Sequence, residues 1–224
     1  MKNLFDLTGK VALVTGASSG LGVQFAKALA NQGADIAICA RRLDKLEAVK
    51  AEIEALGVKC YVHACDAMDP AQVKATVDAV AAHFGKIDIL VNNAGLAAGL
   101  EHIDQGSIED WNAMIDTNIK GLLYVTRIVS RRMIEQQRGH IVNLGSIAGT
   151  QPYENGAVYC ASKHAVHAIS QSMRSDLVAH GIKVSEVRPV MVETEFSVVR
   201  FHGDEERAKG VYKGVTPLTG AEGI

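Results

Sequence analysis

Tyr159 and Lys163 stand four residues apart in the run Val158-Tyr159-Cys160-Ala161-Ser162-Lys163. If that run is helical, the two side chains share one face. A free tyrosine hydroxyl titrates near 10, too high for an efficient base at neutral pH. A neighbouring ammonium favours the phenolate and lowers that value. Tyr/Lys pairs at this spacing are common on solvated helix faces, so the spacing alone decides little. Ser146 changes the weighing. It closes the segment that begins with the apolar run His140–Leu144, thirteen residues before Tyr159. A hydroxyl at that point can hold and polarise an oxygen atom whose proton the tyrosine moves, which is general acid–base chemistry at a carbonyl or alcohol.

A second cluster speaks for a bound anion. Thr15-Gly16-Ala17-Ser18-Ser19-Gly20-Leu21-Gly22 lies between an apolar run and a helical stretch. Glycines there let the backbone turn tightly and approach a pyrophosphate, and the following helix offers free N–H groups and a favourable dipole. A glycine trio can also be only a tight turn, but its place after the first strand of a βαβ unit favours a dinucleotide. A site for NAD usually carries an acid about 20 residues further on. This chain has Ala40 there, followed by Arg41 and Arg42. Guanidinium groups suit a 2′-phosphate, so NADP(H) is expected in preference to NAD. The alternative is a solvated Arg pair leading into a helix.

Strands and helices alternate around these residues. Strands are expected at Lys10–Thr15, Asp35–Ala40, Val58–Cys65, Ile87–Val91, His140–Leu144 and Lys183–Val187, because short continuous apolar runs suit strands buried on both faces. Helices are expected at Leu21–Asn31, Leu43–Leu56, Pro70–Phe84, Ile108–Gln136 and Val158–His180. That alternation implies an α/β fold with a Rossmann-type, doubly wound parallel sheet. Residues 1–224 then form a single catalytic domain, in which the more polar stretch 191–218 is a small substrate lobe over the carboxyl edge of the sheet.

The bulk numbers fit this picture. The 224 residues are 48% hydrophobic and 21% charged, with 23 basic and 25 acidic side chains giving a net charge of −2. Neither nucleic acid nor an acidic membrane is favoured as a partner by that balance. Apolar runs are too short to span a bilayer, and Asp6 and Lys10 interrupt any leader-like start. Cys39, Cys60, Cys65 and Cys160 have neither metal-ligand spacing nor a disulfide framework, so no metal and a reducing cytoplasm are expected.

Taken together, the glycine loop, Asn92-Asn93-Ala94-Gly95 after the fourth strand, Asn143–Gly149, the Tyr159/Lys163 pair and Arg188-Pro189 resemble the short-chain dehydrogenase/reductase family over nearly the whole chain. The resemblance implies hydride transfer between a nicotinamide cofactor and a small alcohol/carbonyl pair. It implies a catalytic group of Asn118, Ser146, Tyr159 and Lys163. In that group Lys163 also binds the nicotinamide ribose, and Asn118 positions a water that passes protons to Lys163. The cofactor residues it implies are Gly16, Ser18, Ser19, Gly20, Leu21 and Gly22, then Arg41 and Arg42, with Asp66 at the adenine. Asn93, Ala94 and Gly95 fall on the adenosine side, and Pro189, Val192 and Thr194 complete the set, Thr194 at the nicotinamide carboxamide. Up to Gly95 the chain is similar to gluconate 5-dehydrogenases and 3-oxoacyl reductases of the family. From about Glu101, notably in Glu193–Ser197 and Val199–Phe201, it is similar to the NADP-dependent 3-hydroxy acid and serine dehydrogenases. A homodimer or homotetramer follows by the same resemblance.

Val190 stands where the family has glycine, and Ile224 falls before the final strand that the family adds to its sheet. The expected activity is NADP-dependent oxidation or reduction of a small hydroxy acid or polyol. For a carboxylate substrate, Arg200 or His202 should pair with it. One alternative is a 3-oxoacyl carrier-protein reductase, for which Arg127, Arg131 and Arg132 could form the basic patch, unless they are an ordinary solvated face. The other is an NADP-binding protein without turnover, which would not need the complete catalytic set.

Overall fold

The computed structural model describes residues 5–223. The outermost positions of the expected single domain, residues 1–4 and 224, lie outside the described residues. Six strands form one fully parallel sheet: β1 (Val11–Thr15), β2 (Asp35–Ala40), β3 (Cys60–Ala64), β4 (Ile89–Asn92), β5 (Gly139–Leu144) and β6 (Ile182–Val187). Their order across the sheet is β3-β2-β1-β4-β5-β6. The continuous apolar runs behave as expected. All residues of β1 and β4 are buried, whereas β3 and β6, at the two edges, have exposed positions. β3 is shorter than Val58–Cys65, because Lys59 N–H is taken by the Asp35 carboxylate rather than by the ladder.

Helices cover both faces. α1 (Gly20–Asn31) and α2 (Leu43–Glu54) pack Phe25, Ala26, Leu46, Val49 and Ile53 against Val14, Ile36 and Ile38. α3 (Pro70–Phe84), α5 (Leu122–Gln136) and the end of α6 (Ala157–Leu177) pack Val73, Val77, Val129, Met133 and Leu177 against Leu13, Leu90 and Ile141. Each large aliphatic side chain so buried contributes about 1.5–3 kcal/mol. Local signals set the ends of α3: Asp69 accepts from the N–H groups of Ala71 and Gln72, Pro70 opens the helix, and Gly85 leaves it at φ +78°.

Ile108–Gln136 is helical throughout but not one uniform helix. α4 (Ile108–Ile115) passes through a wider π turn at Asp116–Gly121 before α5. The π turn carries Asn118, and such turns redirect side chains at functional positions.

The strand order reverses between β1 and β4, and a crevice opens there at the strands' carboxyl ends. Residues after β6 cover it. Their two ends are closed by a bridge between Val192 and Leu218, with Leu218 N–H donating to Met191 O and Glu193 N–H to Leu218 O. Within that loop lie α7 (Phe196–Arg200) and α8 (Glu205–Gly210).

Candidate active site

The glycine loop is built by tight backbone approach. Gly16 has φ +65°, and a Cβ there would stand 2.8 Å from Ala94 Cα. A Cβ on Gly22 would meet Asn93 Nδ2 and Gly16 O, both at 2.5 Å. The two loops are also laced together. Thr15 Oγ1 accepts from the N–H groups of Asn93 (3.1 Å) and Ala94 (3.0 Å), while Asn93 Nδ2 donates to Thr15 O and Gly16 O. The first turn of α1 has no side-chain cap and no acidic residue, which leaves its N–H groups available to an anion.

Two of the cavities that border this loop reach Gly16. The larger, about 1010 Å³, runs past Ser18, Arg41, Arg42, Asp66 and Ala67. Arg41 is exposed at its rim. Arg42 is already engaged: its guanidinium donates to Ser18 Oγ (3.2 Å), Ser19 Oγ (2.9 Å) and Glu195 Oε2 (3.2 Å), and Lys45 holds the other Glu195 oxygen at 2.8 Å. The two cations keep the Glu195 carboxyl below the usual carboxylate range. Asp66 Oδ1 accepts from Met68 N–H, which fixes the turn after β3.

The second cavity, about 900 Å³, gathers Gly16, Ser19, Gly20, Leu21, Asn93, Ala94 and Gly95 on one wall. Ser146, Tyr159, Lys163, Pro189, Val192 and Thr194 complete it. A dinucleotide fits the two cavities together: the loop has no room for side chains at Gly16 and Gly22, the N–H groups at the start of α1 have no side-chain cap, and a guanidinium stands at the far rim.

Gly22 and Asn118 line neither cavity. Gly22 lets the two loops close. Asn118 is buried, its Nδ2 donating to Leu96 O (2.8 Å) and Ser162 Oγ (3.0 Å), its Oδ1 accepting from Leu96 N–H (2.8 Å). Ser162 Oγ in turn donates to Tyr159 O at 2.7 Å. Both amide hydrogens are therefore taken, and they tie the loop after β4 to α6. The side chain of Asn118 braces the backbone that carries Tyr159.

Tyr159 and Lys163 share a face of α6, as their spacing requires. Ser146 is buried beside them, with Oγ accepting from Ala148 N–H at 3.1 Å. Lys163 Nζ donates to Leu144 O at 2.8 Å and lies 5.9 Å from the Tyr159 ring centroid. Burial lowers Lys163 to about 8, while the negative charge of Glu186 opposes that fall. Burial pushes Tyr159 up to about 12, against a hydrogen bond to Ser146 and the charge of Arg200. Without dinucleotide, desolvation outweighs the lowering of the phenol by Ser146 and Arg200.

Several other residues shape the site. Phe196 packs edge-on against Tyr159, with ring centroids 5.8 Å apart. Glu186, a nearly buried carboxylate on β6, binds His167 Nδ1 at 2.6 Å. Sequence patterns gave no hint of Glu186, a lone acid in an edge strand. Val190 lies on the cavity wall, 64% exposed, and is not among the residues with positive φ, so it carries no left-handed strain. Arg132 is bound to Asp78 at 2.6 Å, and Arg127 and Arg131 remain on an exposed helix face. His202 pairs with Asp110 at 3.2 Å. Among the described residues no group of three or more His, Cys, Asp or Glu could hold a metal, and no helix is long and apolar enough to cross a membrane.

Comparison with known proteins agrees with this geometry. Residues 10–204 match the short chain dehydrogenase family. An NADP-dependent 3-hydroxy acid dehydrogenase of Salmonella typhi is 43% identical over 210 residues, 93% of this chain and 84% of the relative. A protein of the same description from Schizosaccharomyces pombe is 39% identical over 215 residues, 95% of this chain and 83% of its own. Among solved structures, the closed form of a serine dehydrogenase complexed with NADP+ superposes with a TM-score of 0.89 at 41% identity, covering 95% of this chain and 85% of that one.

Proposed function

The chain belongs to the short-chain dehydrogenase family, and we propose that it is an NADP-dependent oxidoreductase that interconverts the hydroxyl and carbonyl forms of a small hydroxy acid or polyol, with Tyr159 as acid and base. The observation that carries this is the convergence of Ser146, Tyr159 and Lys163 on one wall of a cavity whose opposite wall is the glycine loop. The 3-hydroxy acid dehydrogenases among its relatives support the substrate class. They also support NADP, together with Arg41 and Arg42 at the rim, where Ala40 leaves no acid to meet a 2′-hydroxyl.

Bound dinucleotide supplies the centre that accepts or gives hydride. Gly16, Ser18, Ser19, Gly20 and Leu21 would hold its pyrophosphate, in a loop that Gly22 lets close. Asp66, Asn93, Ala94 and Gly95 would meet the adenosine half, and Pro189, Val192 and Thr194 the nicotinamide half. Arg41 is the freer of the two guanidinium groups for the 2′-phosphate, since Arg42 is shared with Glu195. Around the substrate, Ser146 Oγ would donate to the reacting oxygen. Tyr159 Oη would give its proton to that oxygen in reduction and take it back in oxidation. Burial keeps Tyr159 protonated at neutral pH, so it is ready as an acid. As a base it needs help from the surrounding donors and cations, Ser146, Lys163 and Arg200. The lobe at 191–218 would form the substrate side of the cavity. We also infer a homodimer or homotetramer in the cytoplasm. Exposed Ile108, Ile115 and Leu123 along α4 and α5 favour self-association, and four free, buried cysteines suit a reducing compartment.

The test is a panel of short 2- and 3-hydroxy acids and polyols with NADP+ and with NAD+. Turnover with a higher kcat/KM for NADP+ is expected. Binding of dinucleotide with no turnover of any hydroxyl compound would leave a binding protein instead.

A further inference from the structure

Glu195 immediately precedes α7, in the lobe that follows β6, and reaches across to the start of α2. Its Oε2 accepts from both terminal nitrogens of Arg42, each at 3.2 Å, and its Oε1 from Lys45 Nζ at 2.8 Å. Arg42 spends its other edge on the glycine loop. Nη2 donates to Ser19 Oγ at 2.9 Å and to Ser18 Oγ at 3.2 Å, and Nε donates to Ser18 Oγ at 3.4 Å. Both paired edges of the guanidinium fork are therefore occupied, one by serine hydroxyls and one by an anion.

The same guanidinium lines the cavity of about 1010 Å³, together with Ser18, Ser19 and Arg41. Glu195 lines the neighbouring cavity, with Thr194 and Phe196. Arg42 thus stands between the carboxylate of the lobe and the place where the 2′-phosphate would sit. A phosphate ester carries a charge of about −2 and takes an arginine best through two parallel N–H groups. The serine hydroxyls can turn and donate to such a group. The carboxylate cannot donate, and it repels the phosphate at close range. Glu195 and a 2′-phosphate therefore cannot both keep the fork. The pair is open to exchange, because the Arg42 and Glu195 side chains are 42% and 46% exposed and an exposed ion pair costs little to break. Lys45 gives the displaced carboxylate a place to stay.

We propose that Glu195 is a built-in competitor of the 2′-phosphate of NADP(H): it holds Arg42 when no 2′-phosphate is present, the arriving phosphate displaces it onto Lys45, and its hold limits how far NADP(H) is preferred over NAD(H). NAD(H), which has a hydroxyl at that position, leaves the Arg42–Glu195 pair intact.

This rests on the NADP reading, and the test separates the two. Adenosine 2′,5′-bisphosphate carries the 2′-phosphate without the nicotinamide, and 5′-AMP lacks it. Both are titrated calorimetrically into the unaltered chain, Glu195→Gln and Glu193→Gln. Glutamine keeps the size of the exposed Glu195 side chain. Glu195→Gln should bind the bisphosphate about threefold or more tightly than the unaltered chain does, the scale of one exposed ion pair together with the repulsion it relieves. Its affinity for 5′-AMP should not change. Glu193 is an exposed acid two residues away, so Glu193→Gln removes the same charge without freeing Arg42 and should alter neither affinity. In an Arg42→Met background, Glu195→Gln should add nothing. Unchanged or weaker bisphosphate binding by Glu195→Gln, an equal gain with Glu193→Gln, or a gain without Arg42 overturns the competition, while a preference of the unaltered chain for the bisphosphate over 5′-AMP still upholds NADP. A preference that emerges only in Glu195→Gln keeps the competition and defeats the NADP reading of the unaltered chain. No preference in any of these proteins overturns both.

Discussion

Replacing Lys163 by Met should make the cofactor-free protein more stable while it disables the site. Lys163 is 6% exposed, and among the described residues its one side-chain hydrogen bond is from Nζ to Leu144 O. Burial lowers it from 10.5 to about 8. That difference corresponds to roughly 3 kcal/mol spent on keeping the charged form in place. Methionine has similar bulk and no charge, but it leaves Leu144 O without its donor, at a cost of about 1–2 kcal/mol. The net gain is then about 1–2 kcal/mol, or about 2–8 °C in Tm for a chain of this size. The pH dependence gives a second check. Below about 8 the lysine is charged in both folded and unfolded chains, and the unaltered protein carries the full penalty. As the pH rises from 8 towards 10.5, the folded form sheds its proton while the unfolded form keeps it, so the penalty disappears. The advantage of Lys163→Met should therefore be greatest at pH 7 and shrink by pH 9.5. Thermal and urea melts at both pH values, without dinucleotide, measure it. A variant clearly less stable than the unaltered chain at pH 7, or a gap that does not move with pH, would refute the reasoning.

Two further substitutions test the cofactor end. Ala40→Asp combined with Arg41→Ala should shift the ratio of kcat/KM from NADP+ towards NAD+ by about tenfold or more, since it removes a charge-assisted contact and supplies an acceptor for a ribose hydroxyl; an unchanged ratio would mean that the 2′-phosphate is read elsewhere. Val190→Gly removes an exposed isopropyl group from the cavity wall at no cost in backbone strain, because Val190 does not have positive φ. It should tighten NADPH binding or raise turnover, with stability lower by about 0.5–1 kcal/mol from added chain entropy; titration of NADPH into both proteins, with turnover measured alongside, shows the valine to be harmless if neither improves.

The order of elements was legible because buried parallel strands write themselves as apolar runs, and β1, β2 and β4 lie where Val11–Thr15, Asp35–Ala40 and Ile89–Asn92 are uninterrupted. The π turn at Asp116–Gly121 was not, since the Asn118 it carries is tied to Leu96 and Ser162, contacts between distant parts of the chain. The position of Tyr159, Lys163 and Ser146 followed from spacing and from the strand before Ser146. Their titration did not, because burial depends on what covers them. Glycine spacing located the anion loop, yet the capture of Arg42 by Glu195 joins residues far apart in sequence, which no local pattern records. Arg200 and His202 were the two candidates picked from the basic residues of a polar stretch. Only packing between Tyr153 and Tyr159 distinguishes Arg200 from His202.

The central claim is that Tyr159 moves the reacting proton. Its most direct test is Tyr159→Phe, which keeps the ring that packs on Phe196 and removes only the hydroxyl. NADPH binding, followed by fluorescence, should change little, while turnover of the best hydroxy acid with NADP+ falls by about 10²–10⁴-fold or more. Near-normal turnover by the Phe variant, in a preparation free of the unaltered enzyme, would contradict the claim.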